Sequence, residues 1–360
     1  MLFDVAVIGV FVLLFFGIKP VKSWNDEYLS VSTCNMWRGF LACIIVMHHI
    51  LLREPTGVMH SWMPEAGAAA VSGFFFFSGY GLQKQYITKG EKYRKHFLAK
   101  RLPKVIIPFL IMIFVYWLVY FIEGNHIGIA EIVTGILQCK PIVRYSWFLY
   151  DIVFFYLVFC LMMKICGKKH LLMIILTSVY FVVRTAAMYV LHFENGFFKS
   201  SHLFIVGMIW AVYEKQITAM IKKFYYIFAP LSLVLFATAY YWISKNSVDG
   251  SNAGIKFVLI YTAATMLTNV LFVVCILLVS MKFKVGNKVL KFVGNHSMEV
   301  YLVHGLLLYG LRNEYFSIPD KNVWLICVLV GTVIAAFILE KLFTFVLSEY
   351  QKLLNRIIKE

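Results

Sequence analysis

The sequence predicts an all-α fold, a polytopic membrane bundle of about eleven helices, and three observations carry that prediction. The chain is 61% hydrophobic and only 14% charged over 360 residues, too little polar surface for a soluble protein of that size. Apolar runs of spanning length recur near 2–18, 36–52, 66–83, 105–122, 146–163, 171–191, 197–213, 224–243, 257–281, 292–311 and 323–347. The connections between them alternate in charge. Those after the odd-numbered runs, with the C-terminal end, hold 23 of the 34 Lys and Arg residues, and the others hold 8. By the positive-inside rule the rich side is cytoplasmic. The expected topology is a multi-pass protein of the cell membrane with its N-terminus outside and its C-terminus in the cytoplasm.

Each run adds something to that outline. The first, MLFDVAVIGVFVLLFFGIKP, lacks a basic leader and a small-residue cleavage site, so it reads as a retained span. The second, MWRGFLACIIVMHHILLR, carries Arg38, His48 and His49 inside an otherwise apolar helix. Ionisable groups there are costly and generally serve function. Arg38 and His49 are eleven positions apart, three turns plus about 20°, so they share one face about 16 Å apart along the axis. Running outward, this span puts Arg38 by the cytoplasmic face and His49 by the outer face. His48 points about 100° away from His49.

The third run ends in FFFFSGYGL, which brings Ser78, Gly79 and Gly81 to the level of Arg38. Those glycines allow close approach either of a ligand or of another helix, the second being commoner in membranes. Eight basic residues follow between Lys84 and Lys104. They signal topology, and Arg101 and Lys104, three apart, could also clamp phosphates.

A second polar group is expected near the outer face. Trp147 and Asp151 open the fifth run, Arg184 interrupts the outer half of the sixth, and His202 lies at the start of the seventh. Glu299 and His304 lie on the tenth. Asp151 and Arg184 read either as a structural ion pair or as substrate contacts. Glu299 is one helical turn from His296, close enough for local pairing, and His304 faces about 140° away from it.

Other classes fit less well. The net charge of +16 comes in short clusters between apolar runs, the layout of loops facing anionic lipid, so nucleic acid is not an expected partner. The seven cysteines show no CxxC spacing, and HxxxH and HExxH spacings are missing too, so no metal is expected. A secondary transporter or flippase could use the same polar residues as a pathway, but the internal repeats common in transporters are missing. His49, whose side chain titrates near working pH, could instead remove a proton from a hydroxyl that attacks an acyl group.

Taken in order, these elements resemble acyltransferase family 3, integral membrane proteins that modify cell-surface glycans. RGFLACIIVMHH resembles the family's Arg-Gly opening with a histidine after ten intervening residues, here Arg38 and His49. FFFFSGYGL resembles its Phe-rich segment ending in Ser-Gly-aromatic. KRLPKVIIP resembles its Arg-x-x-Arg stretch before a proline, with Lys104 in place of the second Arg. SWFLY, FIVG and GNHSMEVYLVH resemble its later elements.

The resemblance implies a family domain over 36–347, preceded by an additional span with its loop over 1–35 and followed by a cytoplasmic tail over 348–360. It implies O-acylation from acyl-CoA, most simply acetyl-CoA, which serves as a substrate and is not permanently bound. The donor would dock at Ser78, Arg101 and Lys104, with Arg38 on its path. His49 would act as base, His48 would be its less favoured neighbour, and a polysaccharide or lipid-linked glycan hydroxyl would attack. Trp147, Asp151, Arg184, His202, Glu299 and His304 are the acceptor-side candidates. Unlike some members of the family, no soluble esterase-like domain follows the membrane part, so a separate envelope or export partner is expected to deliver the acceptor.

Overall fold

The computed structural model describes residues 1–191, 199–246, 254–313 and 315–359. Helices dominate; the described strands are two-residue segments, Lys19–Pro20 paired antiparallel with Phe283–Lys284. Among the described residues seven helices are long and apolar enough to cross a membrane, and the protein is an all-α, multi-pass membrane protein. Large apolar side chains such as Phe114, Ile122, Val182 and Phe345 stand exposed on these helices, as expected where the solvent is lipid.

The chain divides into two compact units. The first comprises Met1–Tyr93 and Met162–Asn295. In it the helix Val31–Arg53, whose N-cap Ser30 accepts from the Thr33 amide, packs beside Ala66–Lys89 and Lys288–Asn295, and Ala66–Lys89 packs in turn against Leu203–Lys245. Glycines set how closely these helices approach. A Cβ at Gly79 would overlap the carbonyl oxygen of Phe204, and one at Gly207 would overlap that of Phe76. Gly39 and Gly294 play the same part where Val31–Arg53 meets Lys288–Asn295, against the carbonyls of Leu290 and Asn35. Small residues that let backbones touch are the usual means of helix association in lipid. Gly79 therefore serves helix packing, whereas a Cβ at Gly81 would meet nothing within 4 Å. The second unit comprises Arg94–Leu161 and His296–Glu360. In it Pro103–Ile122, Ser297–Gly310 and Lys321–Lys359 pack together, with Pro103 in the first turn of its helix, where its missing N–H costs nothing.

Several expected boundaries move. The first helix is Leu2–Phe15, 14 residues or about 21 Å, shorter than an ordinary span. Its Asp4 accepts from the Met59 amide at 2.9 Å. Between the seventh and eighth runs the chain stays mostly helical over Leu203–Lys245, and its backbone leaves helical geometry at Tyr213 and Phe224, where the seventh run ends and the eighth begins. At the start of the polar stretch between them, Glu214 accepts from Tyr80 at 3.1 Å and from Lys84 at 2.5 Å. The first residues of the run at 197–213 lie outside the described residues. The tenth run is two helices, Lys288–Asn295 and Ser297–Gly310, interrupted at His296 (φ −105°, ψ 19°). The basic stretch 84–104 is largely helical as well. The C-terminal end continues the last helix, Lys321–Lys359, and Tyr350 donates to the Ala99 carbonyl at 3.2 Å.

Candidate active site

Val31–Arg53 is one unbroken helix, so the face shared by Arg38 and His49 survives intact. At its first end Arg38 is half-buried and donates to the Asn35 side chain at 3.2 Å; Asn35 in turn donates to Asn295 at 3.0 Å. At its second end His49 is 8% exposed. The ring of His48 lies 4.8 Å from that of His49, tilted by 58°. A carbonyl can only accept, so the 2.7 Å contact between His48 Nδ1 and the Met63 oxygen puts the proton on Nδ1 and leaves the Nε2 lone pair available in the neutral ring. His48 Nε2 faces Gly67, where any Cβ would overlap the ring.

The turn after the histidines brings in a residue that sequence reasoning missed. Glu65 is 7% exposed. It precedes Ala66–Lys89 without capping it, and its carboxylate instead accepts from the Tyr261 hydroxyl at 2.5 Å. His48, Lys199 and Tyr240 lie within its electrostatic range. The Lys199 ammonium sits 4.8 Å over the Tyr261 ring; burial pushes its pKa down and Glu65 works against that shift. His202 donates from Nε2 to the Met266 carbonyl at 3.1 Å, and its buried Nδ1 has no hydrogen-bond partner among the described residues. An apolar cavity of about 290 Å³ adjoins the histidine end, with Met47, Met63 and Tyr240 in its walls and Val7 and Phe11 of the first helix closing it.

Toward the other end of the same unit, Ser78 is half-buried beside the Gly79 helix contact. A polar cavity of about 440 Å³ opens next to Tyr28, Lys84, Glu214 and Lys222. Burial pushes the Tyr28 phenol above its ordinary value, opposed by hydrogen bonds with Thr218 and Trp210. Arg184 is buried in His170–Val190.

The second unit holds its own cluster. His304 is fully buried, donates from Nδ1 to the Val300 carbonyl at 3.2 Å, and stacks on Tyr145 at 5.6 Å and 14°. Tyr145 has φ +62°, a left-handed conformation that costs a non-glycine residue energy and persists only where surroundings enforce it. They do: the Tyr301 hydroxyl donates to its carbonyl, and Tyr309 lies 3.3 Å from its own hydroxyl. Arg144 lies 3.7 Å over the Tyr309 ring. Trp147 and Asp151 follow in the first turns of Trp147–Cys166, with Asp151 fully buried and within electrostatic range of Tyr301. Glu299 lies within range of both His296 and Glu340. On the basic stretch, Lys104 and Lys100, rather than Arg101, line a cavity of about 320 Å³ whose far wall is Tyr350, Gln351 and Asn355. Arg101 ends the helix Phe97–Arg101, and Lys104 begins the next turn beyond Pro103.

A family described as an acyltransferase domain matches residues 33–341. The chain belongs to acyltransferase family 3. Comparison with curated proteins and with solved structures returned no match. The family match begins two residues into the Arg38–His49 helix, so Leu2–Phe15 precedes the acyltransferase domain, and the end of the last helix, with Tyr350, Gln351 and Asn355, follows it. Within the domain, the first unit gathers Arg38, His48, His49, Ser78, Arg184 and His202, and the second gathers Arg101, Lys104, Trp147, Asp151, Glu299 and His304.

Besides Glu65, the sequence reading passed over Arg144 and Tyr145. Arg144 counted only as a loop charge, and nothing in a single sequence marks Tyr145 as left-handed. Glu65 did carry a signal, as a lone carboxylate placed just before a small-residue apolar run. Among the described residues no group of three or more His, Cys, Asp and Glu side chains could hold a metal ion, and the cysteines are free thiols.

Proposed function

We propose that this membrane acyltransferase moves an acyl group, most simply acetyl, from cytoplasmic acyl-CoA to a hydroxyl of a cell-surface or exported polysaccharide or of a lipid-linked glycan. The observation that carries the proposal is the continuous family helix with a half-buried arginine at one end and, at the other, the buried His49 imidazole with the half-buried His48 beside it. Arg38 serves the donor end and His49 the acceptor end. In the reaction the acyl carbon exchanges its bond to sulfur for one to the acceptor oxygen. His49 takes the hydroxyl proton, which finally leaves with the CoA thiol. A site reached by the donor from inside and the acceptor from outside agrees with the charge asymmetry of the connections, which puts the N-terminus outside and the C-terminus in the cytoplasm of the cell membrane.

Two experiments test this reading. Mass spectrometry of surface glycans from wild-type and deletion cells is expected to show O-acyl groups only in the first, and identical glycans would refute it. In reconstituted vesicles the protein is expected to move the label of acetyl-CoA onto glycan, whereas glycan that crosses unmodified would make it a transporter. For the donor site, Arg101→Ala combined with Lys104→Ala is expected to raise the KM for acetyl-CoA at least about tenfold, through lost charge-assisted phosphate contacts, with little change in acceptor KM. An unchanged donor KM would remove both residues from phosphate binding. Lys100→Ala, which touches the same cavity as Lys104, is expected to act in the same direction.

A further inference from the structure

Glu65 is a carboxylate in a place where one is expensive. It is almost fully buried beside apolar helices, and an isolated charge there would be neutralised or expelled. It does not cap its own helix. The Tyr261 hydroxyl donates to it at 2.5 Å instead, and Lys199 and His48, from two other segments, lie within its electrostatic range. His48 is held from the other side by the Met63 carbonyl, and its ring lies 4.8 Å from that of His49.

We propose that Glu65 is a positioning residue of acyl transfer, supplying the negative charge that lets the His48–His49 pair accept the proton of the attacking hydroxyl. The proposal rests on the acyltransferase reading of the histidine end given above. The physical reason is that general-base catalysis creates an imidazolium in a site with little water to solvate it. A fixed carboxylate within range stabilises that cation without reorganising, and Lys199, within range of the same carboxylate, opposes it. The Met63 contact fixes the His48 tautomer, so the ring is already oriented when the charge develops. Glu65, ahead of Ala66–Lys89, faces His48, and Lys199, Tyr240 of Leu203–Lys245 and Tyr261 of Ile255–Lys282 in turn face Glu65. A carboxylate and an ammonium act on a developing imidazolium with opposite sign, so the removal of Glu65 and that of Lys199 must do so too.

The test compares full-length wild type, Glu65→Gln and Lys199→Met in inside-out membrane vesicles. The first readout is the pH midpoint of diethyl pyrocarbonate labelling of the peptide that carries His48 and His49, read by mass spectrometry. The second is the acid limb of label transfer from acetyl-CoA to vesicle glycan. Glu65→Gln is expected to move both to lower pH by about half a unit or more and to cut turnover about tenfold, with the acetyl-CoA KM unchanged. Lys199→Met is expected to move both to higher pH. Unshifted midpoints in the two variants, or a Glu65→Gln variant that loses turnover without any shift, would overturn the proposal. Wild-type vesicles that label normally with diethyl pyrocarbonate yet transfer no acetyl group would instead overturn the acyltransferase reading beneath it. If Glu65→Gln fails to reach the membrane, Lys199→Met alone decides: no upward shift overturns the proposal.

Discussion

Replacing His49 with alanine is expected to reduce acyl transfer by about two to four orders of magnitude, the usual worth of a general base. The loss should appear in kcat, because the imidazole acts on the attacking hydroxyl and not on the donor's phosphates. His49 is 8% exposed on a helix whose neighbours pack closely, so truncation also leaves a small cavity. Membrane abundance and detergent-solubilised monodispersity therefore need to be measured beside activity. His49→Gln, which keeps volume and hydrogen bonding without basicity near neutral pH, is expected to be as inactive as the alanine variant while folding normally. His48→Ala should retain more activity than either, since on the proposed reading the proton goes to His49. Near-normal turnover of His49→Ala would move the base to another residue, and the reverse ranking of the two histidines would make His48 the base.

Gly79→Leu is expected to be the most damaging packing substitution. The Cβ alone would overlap the Phe204 carbonyl, so Ala66–Lys89 and Leu203–Lys245 must separate before any side chain fits. Relief cannot come from a rotamer change, because the clashing atom is backbone. Overpacking commonly costs about 1–3 kcal/mol, and forcing two helix backbones apart belongs at or beyond the top of that range. Gly207→Leu attacks the same crossing from the other helix, against Phe76, and should match it. Gly81→Ala, two positions along with open space around it, should be nearly neutral. Thermal unfolding of the solubilised protein reads all three. A stable Gly79→Leu variant would mean that the two helices do not meet as described.

Much of the fold was legible because lipid leaves few alternatives. Backbone groups must be satisfied within a helix, so long apolar runs such as 105–122 and 171–191 fell close to the helices Pro103–Ile122 and His170–Val190. Where a polar partner elsewhere in the chain decides local structure, the reading failed. Residues 214–223 read as a connection, yet they are helical between the breaks at Tyr213 and Phe224, with Glu214 bonded to Tyr80 and Lys84. The run at 292–311 looks continuous until Gly294 is seen seated on the Asn35 carbonyl and the helix breaks at His296. The same limit hid Glu65, whose meaning comes from Tyr261, almost two hundred positions away.

By itself, then, the sequence determined the solvent of this protein, the family of its domain, and the helix face that carries Arg38 and His49, since each depends on composition, order or helical period. Only the tertiary structure decided that Gly79 is a helix contact while Gly81 is not, that Lys104 shares its cavity with Lys100, and that a buried carboxylate stands beside the histidines. Those facts rest on side chains brought together by packing between distant segments, and no local period records which segments will meet.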